Sequence, residues 1–140
     1  MKNKKLLALA LSLMLMLSVI AVPVCAAVSP TISPLWDNTA SVQISHQRID
    51  GYACCKIKIR GFSGTTKIDN VNITLSRVSG SQLIEVATWE DLSATGDTFD
   101  FYEEVANVPG GYTYRLSFTA DVHRNGTVES LDQFSDRYYN

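Results

Sequence analysis

The sequence predicts an all-β protein, a seven-stranded antiparallel sandwich that follows an N-terminal signal helix. Three observations predict this fold. Short stretches in which apolar and polar residues alternate recur along the chain after residue 39, as half-buried strands require. Turn-forming pairs such as Asp50-Gly51 and Asn125-Gly126 separate these stretches. Beyond the first 26 residues, no stretch repeats its apolar side chains with the 3.6-residue period of an amphipathic helix.

Residues 1–26 have the composition of a signal peptide. Three lysines lie within residues 2–5, an apolar run extends from Leu6 to Val24, and small residues suit cleavage after Ala26 or after Ala27. A retained membrane anchor and a lipoprotein attached at Cys25 are the alternatives, although Val24 stands where a lipobox needs a small residue. We therefore expect a secreted, extracellular protein that meets the membrane only through its signal peptide before cleavage.

Removal of the predicted signal peptide changes the length and the net charge of the chain. Taking 26 residues from 140 leaves 114, and taking three of 12 basic residues leaves nine against 14 acidic residues, a net charge of −5. This length suits one domain with one core and excludes a multi-domain enzyme, while the acidic balance argues against a nucleic-acid partner. The predicted division is an extended lead-in at 27–39, a sandwich domain at 40–136 and a tail at 137–140.

The first four strands are predicted at 40–45, 53–60, 71–76 and 83–89. In the second strand Ala53, Cys55, Ile57 and Ile59 share one face, which is the expected core face. Ser79-Gly80-Ser81 turns the third strand into the fourth. The fourth strand is ambiguous, because either the face with Leu83 and Trp89 or the face with Ile84 and Val86 could be buried.

A polar loop is predicted at 90–97, followed by a fifth strand at 99–105. The clearest strand, 112–123, alternates strictly over its whole length, and Asn125-Gly126 then turns the chain into a seventh strand. A two-residue loop there would pair Ala120 with Leu131, whereas a three-residue loop would pair Val122 with Val128, and both registers bury apolar residues.

The strand number and spacing favour an immunoglobulin-like or fibronectin-like sandwich, with a β-barrel as the main alternative. Tyr112 or Tyr114 follows a turn at the start of the sixth strand, where such folds carry a tyrosine corner. The disulfide that joins the two sheets of antibody domains is not predicted, because Cys55 alone lies near one of its usual positions.

The adjacent cysteines Cys54 and Cys55 are expected to point to opposite faces of the second strand. Cys55 would then be a core residue and Cys54 an outward one. The alternative is a redox-active vicinal pair, which would need a strained ring. No C-x-x-C spacing is present, so the sequence predicts neither a metal site nor a cofactor.

Several segments together resemble a group of known proteins. They are the lead-in Ser33-Pro34-Leu35-Trp36-Asp37-Asn38-Thr39-Ala40-Ser41-Val42, the loop Gly61-Phe62-Ser63-Gly64-Thr65-Thr66-Lys67-Ile68, the stretch Thr74-Leu75-Ser76-Arg77-Val78-Ser79-Gly80 and the turn Gly110-Gly111-Tyr112-Thr113-Tyr114. In this order they resemble the uncharacterised small secreted β-sandwich proteins of Gram-positive, clostridia-like gut bacteria. The resemblance implies a secreted sandwich and carries no activity or site residues.

No catalytic set is predicted. His46 and His123 are the two histidines, and both are expected to be exposed on strands, far apart in sequence. Cys54 or Cys55 as a nucleophile would need a nearby histidine, and His46 on the preceding strand could lie close to them, but the interior of a regular strand gives poor access. Six carboxylates lie close together in sequence, and they are expected to be solvated, with a calcium site as the alternative. These carboxylates are Glu90, Asp91, Asp97, Asp100, Glu103 and Glu104.

The expected function is therefore non-catalytic, namely extracellular binding or adhesion, or a structural role at the cell surface. A candidate ligand surface comprises the basic residues Lys56, Lys58 and Arg60 on one strand face, together with Trp36 and Trp89. Alternatives are a carbohydrate-binding module, in which aromatic rings would stack on sugars, and a small effector or inhibitor of another protein. The expected partner is an extracellular protein or glycan.

Overall fold

The computed structural model describes residues 36–140, so the predicted signal peptide and most of the predicted lead-in lie outside the described residues. Seven strands were predicted and seven are present, and the described part contains no helix. The strands are β1 (Thr39–Ile49), β2 (Tyr52–Gly61), β3 (Thr65–Ser79), β4 (Gln82–Thr95), β5 (Thr98–Val105), β6 (Tyr112–Arg124) and β7 (Thr127–Tyr139).

The strands form two antiparallel sheets. One sheet has three strands in the order β1-β2-β5, and the other has four in the order β4-β3-β6-β7. Two-residue turns close the hairpins at Asp50-Gly51 and Asn125-Gly126, and all four turn residues have positive φ. Asn and Asp followed by Gly suit this conformation because glycine has no Cβ and Asn or Asp tolerates the left-handed region.

A single apolar core forms from the inner faces of both sheets. The alternation predicted for β2 is confirmed, since Ala53, Cys55, Ile57 and Ile59 are all completely buried. The inner face of β6 supplies Tyr114, Leu116, Phe118, Ala120 and Val122 to the same cluster. Burial of these side chains is the main source of stability in a fold of this size, since the described residues form no disulfide.

The fourth strand departs from its prediction in two ways. The polar loop expected at 90–97 is largely strand, because β4 continues to Thr95 as an exposed edge whose outward residues need not be apolar. A register shift between Leu75 and Ser76 on β3 places Ala87 opposite the first and Glu85 opposite the second. The core face therefore changes parity along β4, and neither of the two faces weighed from the sequence runs its whole length.

The last hairpin adopts the two-residue loop. Ala120 pairs with Leu131 and Arg124 with Thr127, which decides between the two registers that the sequence left open. The tail predicted at 137–140 is instead part of β7 up to Tyr139. Its ring is 1% exposed and stacks on Tyr114 with centroids 4.4 Å apart, and this burial holds the chain end in the sheet.

The start of β1 is fastened to the β6–β7 hairpin by Glu129. Its carboxylate accepts hydrogen bonds from the backbone N–H groups of Asp37 and Asn38 at 2.7 and 3.1 Å and from the Thr39 hydroxyl at 2.7 Å. Buried Asn38 donates from its side-chain amide to the carbonyl oxygen of Val122 at 3.0 Å. These bonds satisfy polar groups that would otherwise be left unpaired where β1 enters the fold.

The tyrosine corner is present at Tyr114. This residue is buried, and its hydroxyl donates a 2.9 Å hydrogen bond to the carbonyl oxygen of Pro109, five residues earlier. Tyr112, the other candidate from the sequence, is 44% exposed and lies beneath the guanidinium of Arg77. The bond at Tyr114 ties the β5–β6 connection to the core.

Candidate functional site

The basic residues predicted as a ligand surface lie together on the outer face of the three-stranded sheet. Because Cys55, Ile57 and Ile59 point into the core, the alternate residues Lys56, Lys58 and Arg60 point outward along β2. Successive side chains on one strand face are about 7 Å apart, so the three charges span about 14 Å. We call Lys56, Lys58 and Arg60 the basic stripe.

Two members of the basic stripe have no charged partner. Lys58 forms an ion pair with Asp100 on β5 at 3.2 Å. Among residues 36–140, Lys56 and Arg60 make no side-chain hydrogen bond, ion pair or ring contact. Of the other lysines and arginines in that range, only Arg137, on β7, also lacks such contacts. The stripe therefore presents two exposed cations whose charge is not used by the fold.

The strands on either side of the stripe are polar. On β1 the register places Ser41, Gln43 and Ser45 beside the stripe. On β5 it places Thr98, Asp100 and Tyr102. On this face a row of cations is therefore flanked on the β1 side by uncharged hydrogen-bonding side chains.

Cys54 continues the outer face of β2 at the end of the stripe, as predicted for the outward member of the cysteine pair. It is nevertheless buried, lies between Gln47 and Glu104 in register, and hydrogen-bonds to Tyr102. Glu104 accepts a hydrogen bond from the Tyr102 hydroxyl and raises the pKa of that phenol. Neither Cys54 nor Cys55 forms a disulfide within the described residues.

The two tryptophans do not join the basic stripe. Trp89 lies on the inner face of β4, where its ring meets Phe101 edge-on with centroids 5.0 Å apart. Trp36 is half-buried and also packs against the core cluster. The predicted surface therefore separates into a basic stripe that the structure brings together and two tryptophans whose rings contribute to packing.

A row of exposed apolar side chains on β7 was missed by the sequence reasoning. Val128, Phe134 and Tyr138 are 56%, 56% and 59% exposed, more than any other large apolar side chain in the described part. They point outward from the four-stranded sheet, because Leu131 and Tyr139 on the same strand point into the core. The even-numbered spacing of the three residues was the signal that could have revealed them. We call them the β7 row.

Phe134 is held by a charged neighbour. The guanidinium of Arg115 lies over its ring, 3.9 Å from the centroid, and is itself fixed by two 2.7 Å hydrogen bonds to the carboxylate of Asp136. This pairing lowers the pKa of Asp136 and raises the pKa of Arg115. The contact orients the ring while more than half of the Phe134 residue surface stays open to solvent.

His46 is buried, which corrects the prediction that it is exposed. Its Nε2 donates to the carbonyl oxygen of Ser135 at 2.9 Å, and its Nδ1 accepts from the hydroxyl of Tyr139 at 2.8 Å. Burial lowers its pKa from 6.5 to about 4, so the ring is neutral at physiological pH. The alternation of Val42 and Ile44 on the inner face of β1 predicts an inward residue 46, and this parity was the missed signal.

His123 lies on the outer face of the other, four-stranded sheet, and its side chain is 24% exposed, so it is partly buried where the sequence predicts exposure. Its Nε2 is 2.7 Å from a carboxylate oxygen of Asp69, a residue that also pairs with Lys67. The Lys67 hydrogen bond, followed by that of His123, lowers the pKa of Asp69. Both histidines are thus engaged by structural partners. The register of β1 and β2 nevertheless places His46 directly opposite Cys55, whereas His123 lies on the other sheet.

An open cleft of about 440 Å³ lies where the β1–β2 turn meets the β5–β6 connection. Its Arg48 is already engaged, because it donates to the carbonyl oxygens of Val108 at 2.7 Å and Asn140 at 3.0 Å. The cleft contains neither histidine and neither described cysteine. Its lining residues are Arg48, Asp50, Gly51, Tyr52, Asn107, Val108 and Pro109.

The carboxylates considered for calcium lie along β4 and β5. In the part of the chain that the structure describes, no group of three or more His, Cys, Asp or Glu side chains is arranged to hold a metal ion. The same residues contain no helix long and apolar enough to cross a membrane. No known family model matches the chain, and no curated protein matches it significantly.

Proposed function

We propose that this protein is a secreted, non-catalytic binding module that holds an anionic extracellular ligand on its basic stripe. The observation that carries the proposal is the unpaired state of Lys56 and Arg60 on one exposed strand face. Cations without protein partners on an exposed polar surface attract anionic groups over about 8–10 Å at physiological ionic strength. Export is supported by the signal-like residues 1–26.

We propose further that the fold is immunoglobulin-like. The sheet orders β1-β2-β5 and β4-β3-β6-β7 correspond to strands A-B-E and C′-C-F-G of the fibronectin-like variant of that fold, and Tyr114 supplies the tyrosine corner. Sandwiches of this type serve widely as extracellular binding modules, which is an argument by analogy of fold. The non-catalytic character is supported by the structural engagement of both histidines.

Retention on an immobilised polyanion tests the proposal. Polyphosphate resin is the probe, and the salt concentration at elution is the measurement. The variant K56Q/R60Q should elute at clearly lower salt than the unmodified protein, because two of the three stripe charges are gone. K67Q/R137Q is the matched control, since it removes the same charge from the other sheet.

The control should elute with the unmodified protein. Equal shifts of the two double variants would show that net charge alone governs retention and would contradict a localised site. Failure of the unmodified protein to bind polyphosphate and other linear polyanions at low salt would also contradict it.

A carbohydrate-binding role is the second candidate, and the β7 row is the observation that favours it. Phe134 and Tyr138 lie on the same strand face about 13 Å apart and are both more than half exposed. Rings presented in this way can stack on the apolar faces of sugar residues. In a pull-down on insoluble glycans, F134A/Y138A should then lose retention. Y52A, at an exposed aromatic residue of the other sheet, should be retained as the unmodified protein is.

A further inference from the structure

We propose that the first half of β4 is a docking edge for an extended, basic segment of another protein, which adds to the four-stranded sheet as a fifth strand. We call residues 82–88 the β4 edge. This site lies on a different sheet from the basic stripe, so the proposal does not depend on the proposed binding of an anionic ligand.

The β4 edge has a free side. Within the described chain β4 pairs with β3 alone and forms the border of its sheet. It has 14 residues, whereas β5, which follows it after the short link Gly96-Asp97, has eight. β4 ends and β5 begins at this link. The first half of β4, which is farthest from the link, therefore extends past the end of β5. The three-stranded sheet therefore offers no strand to cover it.

Apolar side chains mark this uncovered stretch. Leu83, Ile84 and Val86 are 50%, 40% and 38% exposed. Leu83 lies opposite Val78 and Ile84 opposite Arg77, so the two point to opposite faces of the sheet. An exposed edge strand with apolar residues on both faces is a template for a further strand, which gains main-chain hydrogen bonds along the edge and side-chain contacts on each face.

The surrounding charge specifies the chemistry of the occupant. From Val78 to Tyr114 the chain contains no Lys, Arg or His and seven carboxylates, half of its 14 acidic residues. The cation beside the edge, Arg77 opposite Ile84, is engaged over the ring of Tyr112. One of them, Glu85, lies within the β4 edge and points outward opposite Ser76. Two more, Glu103 and Glu104, lie at the near end of β5 and are exposed. An incoming strand with basic residues among its apolar ones would meet opposite charge here.

A second copy of this chain is a poor occupant by the same reasoning. Pairing of two β4 edges would bring the Glu85 carboxylates of the two copies towards each other, with no basic residue on either β4 to offset them, and like charges on paired strands are destabilising. The exposed apolar residues and the charge together therefore favour a different protein, one with an extended segment in which Lys or Arg alternates with Val, Ile or Leu.

Binding of a synthetic peptide tests the proposal. The probe is an eight-residue peptide that alternates Lys or Arg with Val, and its affinity for the expressed protein is measured by calorimetry. E85K should weaken binding at least about tenfold, the loss expected when an attractive contact becomes a repulsive one. D132K is the matched control, because it reverses one exposed charge on β7 at the far border of the same sheet. It should bind the peptide as the unmodified protein does.

Hydrogen exchange of the unmodified protein supplies a measurement that does not depend on a variant. Peptide binding should slow exchange of backbone amides within residues 82–88 and leave those of β7 unchanged. A peptide in which two central residues are replaced by proline should not bind, because proline removes the donors that strand addition requires. Equal binding of the proline peptide, equal losses in E85K and D132K, or absence of any binding would overturn the proposal.

Discussion

The buried imidazole of His46 makes the stability of the fold depend on pH. Its pKa is about 4 in the folded protein, because burial disfavours the charged ring, and about 6.5 in the unfolded chain. The unfolded state therefore binds more protons between these values. The contribution is complete above about pH 6.5 and is lost as the pH falls towards 4. We expect the free energy of unfolding to decrease by about 3 kcal/mol across this window, measured by urea denaturation at pH 7, 5.5 and 4.5.

The variant H46N isolates this effect. It should lose most of the slope between pH 7 and 4.5 and be less stable at pH 7 by about 2–4 kcal/mol, because Tyr139 and Ser135 lose their partner. H123Q is the control, since His123 lies on the outer face and makes its polar contact with Asp69. A slope that survives in H46N would assign the pH dependence to other groups.

The hydroxyl of Tyr114 provides a second prediction at the scale of one residue. Y114F removes the donor to the Pro109 carbonyl while keeping the ring that stacks on Tyr139. We expect a loss of about 1–2 kcal/mol in the free energy of unfolding, since a carbonyl in a partly buried place is left unpaired. Guanidinium denaturation measures it. Y112F, at the exposed tyrosine two residues earlier, should change stability by less than about 0.5 kcal/mol. Equal losses would contradict the role assigned to the corner.

At the scale of elements, the entry of β1 depends on one carboxylate of β7. Glu129 accepts three hydrogen bonds from residues 37–39 with both of its oxygens. E129Q leaves a single acceptor oxygen, so we expect a loss of about 1–3 kcal/mol and faster exchange of the Asp37 and Asn38 amides. Denaturation and hydrogen exchange measure the two effects.

D132N is the comparison variant for Glu129, because Asp132 is exposed on the same strand and makes no side-chain hydrogen bond or ion pair within the described residues. It should leave both stability and exchange near residue 37 unchanged. If E129Q behaved as D132N does, the start of β1 would be held by Asn38 and its contacts with Val122 rather than by Glu129.

The strands also show which parts of the fold could be predicted from sequence. β2 and β6 were predicted correctly because apolar core residues occupy every second position along each strand, so the buried face follows directly from the sequence pattern. β4 could not be read in this way, because a register shift set by pairing with β3 changes its parity near Glu85. Its second half was taken for a loop, since an edge strand tolerates polar residues that a propensity argument assigns to turns.

The candidate surfaces differ in the same respect. The basic stripe was predictable because it occupies alternate positions of one regular strand, and local spacing suffices to place Lys56, Lys58 and Arg60 on a face. The β4 edge was not predictable, since exposure of Leu83 and Ile84 follows from the position of β4 at the border of its sheet and from its greater length than β5. His46 was misplaced because an expectation based on residue type outweighed the parity of β1.

At the scale of the whole molecule, the net charge, −2 for the full chain and −5 for residues 27–140, conceals a separation of charge between strands. Seven carboxylates lie on the β4–β5 segment without a single basic residue, whereas the basic stripe lies on neighbouring β2. A protein of this kind can bind a polyanion although its net charge is negative, because screening confines each surface to its own surroundings. The acidic composition therefore argues less strongly against an anionic partner than the net charge alone suggests.

The absence of a disulfide from the described fold gives a last prediction. Cys54 and Cys55 are adjacent in β2 and point to opposite faces, so a bond between them would break the strand pairing on both sides. We expect the midpoint of thermal unfolding to be the same with and without a thiol reductant, for a chain that begins at residue 28 and lacks Cys25.

The thiols themselves provide the check. Cys54 is 6% exposed and Cys55 is completely buried, so both should react slowly with a disulfide reagent in the folded protein and rapidly in guanidinium. C54S should then leave one reactive thiol after unfolding. A reductant-dependent midpoint would show that the second strand can open far enough to form the strained bond. The stability of the fold would then depend on redox conditions in addition to its apolar core.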